Sequence, residues 1–214
     1  YSMSALAPEP TRVAPTQKGE ARRQRLLETA ADAFLEFGYA DVSMQLIVRN
    51  AGGSASTAYQ LFGNKEGLLI AVLERELEQL RQQVFPATVF ELPVAEALEV
   101  IAQRLVAHAV QQRSVRFYRL VMAECHRLEK MQDYLRQQIA LQIYAPLEHC
   151  LRTACARGEL QIDDPEQAAR MLGNLINGIS QEARIEGGYA DGPLERDRVS
   201  CSYSIRMFLR AFKS

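Results

Sequence analysis

The sequence has few of the side chains on which metal sites and disulfide frameworks depend. Its 214 residues include only three histidines and four cysteines, and no two cysteines form a CxxC pair. Single cysteines in apolar, helical segments are typical of buried reduced thiols rather than of a zinc site or a disulfide. We therefore expect no metal site and no cofactor.

Long apolar runs are also missing. Charged or amide side chains interrupt every stretch before it reaches the roughly 18 apolar residues that a membrane-spanning helix needs. The start of the chain, Tyr1-Ser2-Met3-Ser4, lacks the basic and apolar segments of a secretory signal. We therefore expect a cytoplasmic protein with no membrane partner.

Neither sign of charge is in excess. The chain has 25 Lys and Arg against 26 Asp and Glu, and residues 1–66 have seven of each sign. This balance argues against a protein that coats nucleic acid by charge alone, but it allows a local DNA-reading surface. Arg22 and Arg23, early in the first predicted helix, either form a positive rim or are simply solvated.

Motifs of helical and nucleotide-binding enzymes are absent. None of the three histidines follows a glutamate by three positions, so the paired ligands of a di-metal bundle are missing. The chain has no P-loop, GxSxG, HExxH or dinucleotide-binding glycine motif. We therefore expect a binding protein rather than an enzyme.

Apolar residues recur three and four positions apart along most of the chain, which predicts an all-α fold. Ser43, Ser54, Asn64 and Asp164 stand where helix N-caps are expected. Pro146 is expected to kink the longest helix. The predicted helices cover 17–37, 44–50, 55–62, 65–85, 94–109, 115–125, 131–156, 165–186 and 199–212.

Two of these helices are short and meet at a glycine pair, which is a helix-turn-helix pattern. Residues 25–39 (RLLETAADAFLEFGY), then Ser43, Met44 and Ile47, and residues 51–69 (AGGSASTAYQLFGNKEGLL) resemble the DNA-binding module of the tetracycline-repressor (TetR) family. The resemblance implies a homodimer with an N-terminal three-helix DNA-binding domain. A larger C-terminal helical domain would bind an effector and dimerise.

The domain organisation is predicted from this resemblance and from composition. Residues 1–16 contain three prolines and little that can be buried, so we expect a flexible arm. We assign residues 17–66 to the DNA-binding domain and residues 67–214 to the effector-binding and dimerisation domain.

The resemblance implies that double-stranded operator DNA is read mainly by the helix after Ser54, where small and polar side chains face base edges. Gln60 is predicted to pair with adenine, and Tyr59 and Lys65 to contact phosphates. Helix capping is the alternative role of Ser54 and Thr57, and packing is the alternative role of Tyr59. The predicted DNA-binding residues are Arg22, Ser43, Ser54, Ala55, Ser56, Thr57, Tyr59, Gln60 and Lys65.

A small-molecule effector is implied as well, and the middle helices supply side chains for a largely apolar pocket. Ordinary core packing is the alternative for each of these side chains. The predicted effector-binding residues are Phe117, Tyr118, Met122, His126, Tyr134 and Tyr144.

Apolar faces on the last helices are candidates for the dimer interface, with burial in the chain's own core as the alternative. The predicted interface residues are Leu172, Leu175, Ile176, Ile179, Tyr203, Met207 and Phe208.

Two function classes remain after these steps. The first is a regulator, a repressor by family tendency, that leaves a palindromic operator when its effector binds. The second is a helical ligand-binding protein of the same fold that does not bind an operator. Binding to duplex DNA with a steep salt dependence would distinguish them.

Overall fold

The computed structural model describes residues 17–213 of the chain, except for the side chains at positions 129 and 130. The predicted arm, residues 1–16, lies outside the described residues. Within them the fold is all-α, as predicted, with two isolated β-bridges and no strand. The helices are α1 (Gln17–Phe37), α2 (Met44–Ala51), α3 (Ala55–Phe62), α4 (Lys65–Val84), α5 (Val94–Ala109), α6 (Gln112–Glu124), α7 (Glu129–Ile139), α8 (Ala145–Ala156), α9 (Pro165–Ile179), α10 (Gln181–Glu186) and α11 (Glu195–Phe212).

The ends of the first four helices follow the predicted capping residues. Ser43 Oγ accepts a hydrogen bond from the Leu46 amide at 3.1 Å, and Asn64 Oδ1 accepts one from the Gly67 amide at 2.8 Å. After α1, Gly38 has a φ of 81°, a backbone conformation that favours glycine. Local capping chemistry therefore determines where these helices begin and end.

Two long predicted helices are interrupted in the structure. The helix predicted over 131–156 divides into α7 and α8 around a π-helical turn, Ala140–Tyr144, just before Pro146. Proline lacks an amide hydrogen and crowds the preceding turn, so the regular ladder does not continue there. The helix predicted to reach 186 breaks at Ser180, whose buried hydroxyl donates to the Asn177 carbonyl at 2.9 Å.

Two other helices begin earlier than predicted. α6 begins at Gln112 rather than at residue 115, because its first turn is polar and carries no apolar signal. α11 begins at Glu195 rather than at residue 199. Here Asp197 Oδ2 accepts a hydrogen bond from the Leu194 amide at 2.9 Å and stabilises the helix start.

α4 connects two hydrophobic cores. Its first half, including Leu68 and Val72, packs with α1, α2 and α3, and Val121 of α6 and Met131 of α7 belong to the same core. The last turn of α4, at Val84, belongs to a second core with α5, α8, α9 and α11. The helix-turn-helix module therefore rests directly on α6 and α7.

Other sequence-based expectations concern thiols, metals and membranes. All four cysteines are free, and burial raises the pKa of Cys150 to about 11 and that of Cys201 to about 12. Within residues 17–213, no group of three or more candidate metal ligands comes together. In the same range, no helix combines the length and apolar character that crossing a bilayer demands.

Candidate DNA interface and internal cavity

α3 turns one side to the core of its module and the other to solvent. Ala58 and Phe62 are buried and hold the helix against α2 and α4. On the opposite side, small and polar groups are free to approach base edges in a major groove. The exposed positions are Ala55, Ser56, Tyr59, Gln60 and Leu61.

Three predicted DNA-binding residues hold helix ends. Ser54 Oγ accepts the Thr57 amide at 3.2 Å and lies 2.9 Å from the Thr57 hydroxyl. Ser43 Oγ caps α2 in the same way. Ser54 and Thr57 therefore take part in helix capping, which was the alternative to a DNA contact, and their bonds fix where α3 begins relative to the turn.

Lys65 is attached to the turn between α1 and α2. Its Nζ donates to the Tyr39 carbonyl at 2.7 Å and to the Ala40 carbonyl at 3.2 Å. The same Nζ lies 4.3 Å from the centroid of the Tyr39 ring. An ammonium group has three donors, so one remains for a DNA phosphate.

Arg22 lies beside the turn of the helix-turn-helix unit. A Cβ added at Gly53 would be 3.1 Å from Arg22 Nη2, which places the guanidinium directly over the turn before α3. Arg23 points elsewhere, with its Cζ 5.9 Å from the centroid of the Phe62 ring. The tertiary structure therefore brings the positive charge of Arg22 to the turn that precedes α3.

A cavity of about 430 Å³ lies among α4, α5, α6, the end of α7, the π-helical turn, α9 and α10. Most of its wall is apolar, with side chains such as Leu77, Val121 and Ile143. This volume and lining are typical of a small-molecule site. Four of the predicted effector-binding residues line it: Phe117, Tyr118, Met122 and Tyr144.

The other two predicted effector-binding residues are not part of the cavity wall. His126 is exposed after the end of α6. Tyr134 packs against the core of the N-terminal module, where its buried hydroxyl has no hydrogen-bond partner in the described structure. Burial, with a smaller effect from Glu74, raises the pKa of Tyr134 to about 12, so this phenol is neutral.

The polar part of the cavity wall was not found by sequence reasoning. His108 Nε2 lies 3.2 Å from the Ser114 hydroxyl, and burial lowers the pKa of His108 although the charge of Glu76 opposes this shift. Asn177 and Arg184 also belong to the polar side. These residues come from five helices, and no motif spacing relates them, so only the fold brings them together.

α6 is connected to α1 as well as to the cavity. Arg116 Nη2 donates to the Leu35 carbonyl at 2.6 Å, and Arg113 Nη1 donates to Asp32 Oδ1 at 2.8 Å. Arg113 also lies 3.5 Å from the Glu76 carboxylate in the cavity wall. A displacement of α6 by a ligand would therefore act on the last two turns of α1.

Known protein families match both parts of this architecture. Residues 26–72 match the bacterial regulatory proteins of the tetR family, and residues 96–214 match the C-terminal domain of AefR-like transcriptional repressors. The second match alone covers more than half of the chain. The chain belongs to the TetR family. It is a DNA-binding transcriptional regulator, which confirms the resemblance seen in the sequence.

Individual TetR-family proteins and other regulators agree with this assignment. The HTH-type transcriptional regulator YhgD of Bacillus subtilis is 32% identical over 75 residues, which is 35% of this chain and 39% of YhgD. The crystal structure of a TetR-family regulator from Mesorhizobium loti superposes with a TM-score of 0.80 at 23% identity, covering 93% of this chain and all of that one. The flavonoid-responsive regulator FrrA has a TM-score of 0.73 at 25% identity, over 91% of this chain and 98% of FrrA.

The TetR-family fold divides the predicted dimer residues into two sets. One set lies in the chain's own core, and the other remains on the surface of α9 and α11. Buried are Leu172, Ile176 and Phe208, and Ile179 is half-buried. Exposed are Leu175, Tyr203 and Met207, together with Met171 and Val199 on the same two helices.

Proposed function

We propose that this TetR-family regulator is a homodimeric repressor that binds a palindromic operator and leaves it when a small molecule fills the cavity. The observation that carries the proposal is the double role of α6, which supports the DNA-binding module and lines the cavity. Recognition helices of a two-fold dimer must stand roughly 34–36 Å apart to enter successive major grooves. A ligand that moves α6 changes this separation and so weakens operator binding.

Base reading and phosphate contact are assigned to different side chains. Gln60, exposed on α3, pairs with a base edge, while the Tyr59 hydroxyl and the Arg22 guanidinium contact phosphates. Ser56 and Ala55 allow close approach to the groove. Ser43, Ser54 and Thr57 act mainly by fixing the helix starts, and Lys65 adds one phosphate contact while it holds the turn before α2.

We also propose that the dimer forms through the exposed apolar side chains of α9 and α11. Leu175, Tyr203 and Met207 are 44%, 56% and 44% exposed, and apolar side chains on adjacent helices suit a two-fold interface. This support does not extend to Leu172, Ile176 and Phe208, which already fill the chain's own core.

The two functions are assigned to successive parts of the chain, although the first core includes residues of both parts. Residues 17–66 hold the DNA-contacting surface, and residues 67–214 hold the cavity and the dimer faces, although the first half of α4 packs with the former. Because the proposed partner is operator DNA, we place the protein in the cytoplasm. We propose neither a cofactor nor a catalytic activity. The likeness to a flavonoid-responsive regulator supports a small-molecule effector.

The test is selection of sheared genomic DNA by the purified full chain, followed by titration of the recovered fragments at two salt concentrations. We expect a short inverted repeat, bound by two protomers, with affinity that falls steeply as salt rises because phosphate contacts release counterions. If a folded, dimeric preparation recovers no sequence above background, the operator-binding proposal fails. The ligand-binding protein without operator then takes its place.

A further inference from the structure

The cavity contains one cation that no carboxylate balances. Arg184 of α10 is the only Lys or Arg in the cavity wall, and within residues 17–213 no Asp or Glu forms an ion pair with it. Its Nη2 donates to Asn177 Oδ1 at 2.6 Å, and its Cζ lies 4.2 Å from the centroid of the Tyr118 ring. An amide oxygen and a ring face leave several of the five guanidinium donors available.

Arg184 is held in place from α6. Arg119 Nε donates to the Arg184 carbonyl at 3.0 Å, and Arg119 Nη2 donates to the Ile185 carbonyl at 2.8 Å. These bonds attach the end of α10 beside Tyr118. The guanidinium therefore stands at a fixed point of the cavity rim before any ligand arrives, which lowers the entropic cost of binding.

The one carboxylate in the cavity wall has a different partner. Glu76 of α4 lies 3.5 Å from Arg113, and its side chain is only 18% exposed. His108, near Glu76, has its pKa lowered by burial and is therefore uncharged at neutral pH. Glu76 therefore has an arginine partner, which it shares with Asp32, whereas Arg184 forms no ion pair with an acidic side chain of residues 17–213.

The remainder of the wall suits an apolar body. The apolar side chains in the wall include Leu73 and Leu77 of α4, Val121 of α6, and Ile139 and Ile143 before α8. Tyr118 and Asn177 are both exposed, so the guanidinium lies at the solvent side of an apolar chamber. A half-buried cation gains most from a ligand that supplies the missing anion.

We propose that the effector is an amphipathic organic acid, whose apolar body fills the cavity and whose anionic group pairs with the Arg184 guanidinium. This inference rests on the proposed function, because it names the class of effector for the same cavity.

The test compares two fluorescent probes with the same aromatic skeleton, 8-anilinonaphthalene-1-sulfonate and the uncharged N-phenyl-1-naphthylamine. The chain has no tryptophan, so probe emission is read without that background. We expect the sulfonate to bind the wild type at least tenfold more tightly than the neutral probe. In Arg184→Gln this preference should disappear while the affinity for the neutral probe changes less than threefold.

Two further variants separate charge from structure. Arg184→Lys keeps the cation and should keep most of the preference for the sulfonate, even if both affinities fall. Arg152→Gln removes an exposed arginine of α8 that is paired with Glu148, outside the cavity wall, and should change neither affinity. Three results would overturn the inference: no probe binding to the wild type, equal affinity for both probes, or a preference that survives in Arg184→Gln.

Operator binding without probe is measured on the same preparations. If the protein binds its operator but shows no preference for the sulfonate, the effector class is wrong and the regulator remains. If the preference follows Arg184 but no DNA is bound, the proposed function fails and the assignment of the anion site stands.

Discussion

The side chains of α3 differ in how much of their hydrogen-bonding capacity the protein itself uses. Ser54 and Thr57 bond to each other and to the helix start. Gln60 is exposed and, within residues 17–213, its side-chain amide forms no hydrogen bond with the protein. Only such an unoccupied amide has both donor and acceptor available for an adenine edge.

We predict that Gln60→Ala lowers discrimination between the operator and single-base variants by about 1–3 kcal/mol, since one bidentate base contact is lost. Tyr59→Phe should instead weaken all sequences similarly, because a phosphate contact carries no base information. Fluorescence anisotropy with operator duplexes measures both. Gln79→Ala, at an exposed position of α4, is the matched control, and unchanged binding in both α3 variants would refute the assignment of the recognition surface.

At the scale of elements, α9 packs closely against the π-helical turn. A Cβ at Gly173 would lie 2.6 Å from Tyr144 Cε1, inside contact distance, whereas a Cβ at Gly178 would meet nothing within 4 Å in this chain. Tyr144 therefore covers the glycine and forms part of the cavity wall. The sequence alone does not distinguish these two glycines of one helix.

We predict that Gly173→Ala lowers the free energy of unfolding by about 1–3 kcal/mol, because the Tyr144 ring must move from a packed position. The same change should weaken binding of N-phenyl-1-naphthylamine. Gly178→Ala removes the helix-propensity cost of glycine, about 0.8–1.0 kcal/mol, and should not lower stability. Denaturant titration measures the free energy of unfolding of both variants. Equal effects would contradict the close packing of Tyr144 on Gly173.

A second prediction at the scale of elements concerns α6, which faces the cavity on one side and hydrogen-bonds to α1 on another. Arg116→Ala removes the bond to the Leu35 carbonyl at the end of α1. We expect the operator affinity of this variant without ligand to differ less than threefold from that of the wild type. Saturating 8-anilinonaphthalene-1-sulfonate should weaken operator binding by a factor at least five times smaller in the variant than in the wild type. Arg136→Ala, which removes an exposed side chain of α7, is the control. Release as complete as in the wild type would show that this bond does not transmit ligand binding.

At the scale of the whole molecule, the proposed dimer uses surfaces that a single chain leaves exposed. α9 and α11 each bury one side in the second core and expose apolar groups on the other. A module with balanced charge gains little affinity from a single half-site, so two linked half-sites are needed for tight binding.

We predict that Leu175→Glu converts the dimer to a monomer, because two carboxylates would be buried at the two-fold axis without partners. Operator affinity should fall at least tenfold as one half-site is lost. Leu141→Glu, at a position that is 59% exposed on the π-helical turn, is the control. Sedimentation velocity and anisotropy on the same samples give both readouts, and a Leu175→Glu dimer with wild-type affinity would place the interface elsewhere.

The sequence by itself determined the helices of the DNA-binding module and their caps. Apolar periodicity and capping bonds such as Ser43 to Leu46 act over three or four residues, so they can be read along the chain. Apolar spacing did not predict the break at Ser180 or the earlier start of α11. At both places a polar side chain hydrogen-bonds to the backbone, and apolar spacing carries no information about such bonds.

Only the tertiary structure decided which side chains meet. Arg22 of α1 lies against the turn at Gly53, Tyr134 packs away from the cavity, and Arg184 lies over the Tyr118 ring. Leu172 and Leu175, three residues apart on α9, have similar chemistry but opposite environments. These differences arise from contacts between helices distant in sequence, and no short-range pattern encodes them.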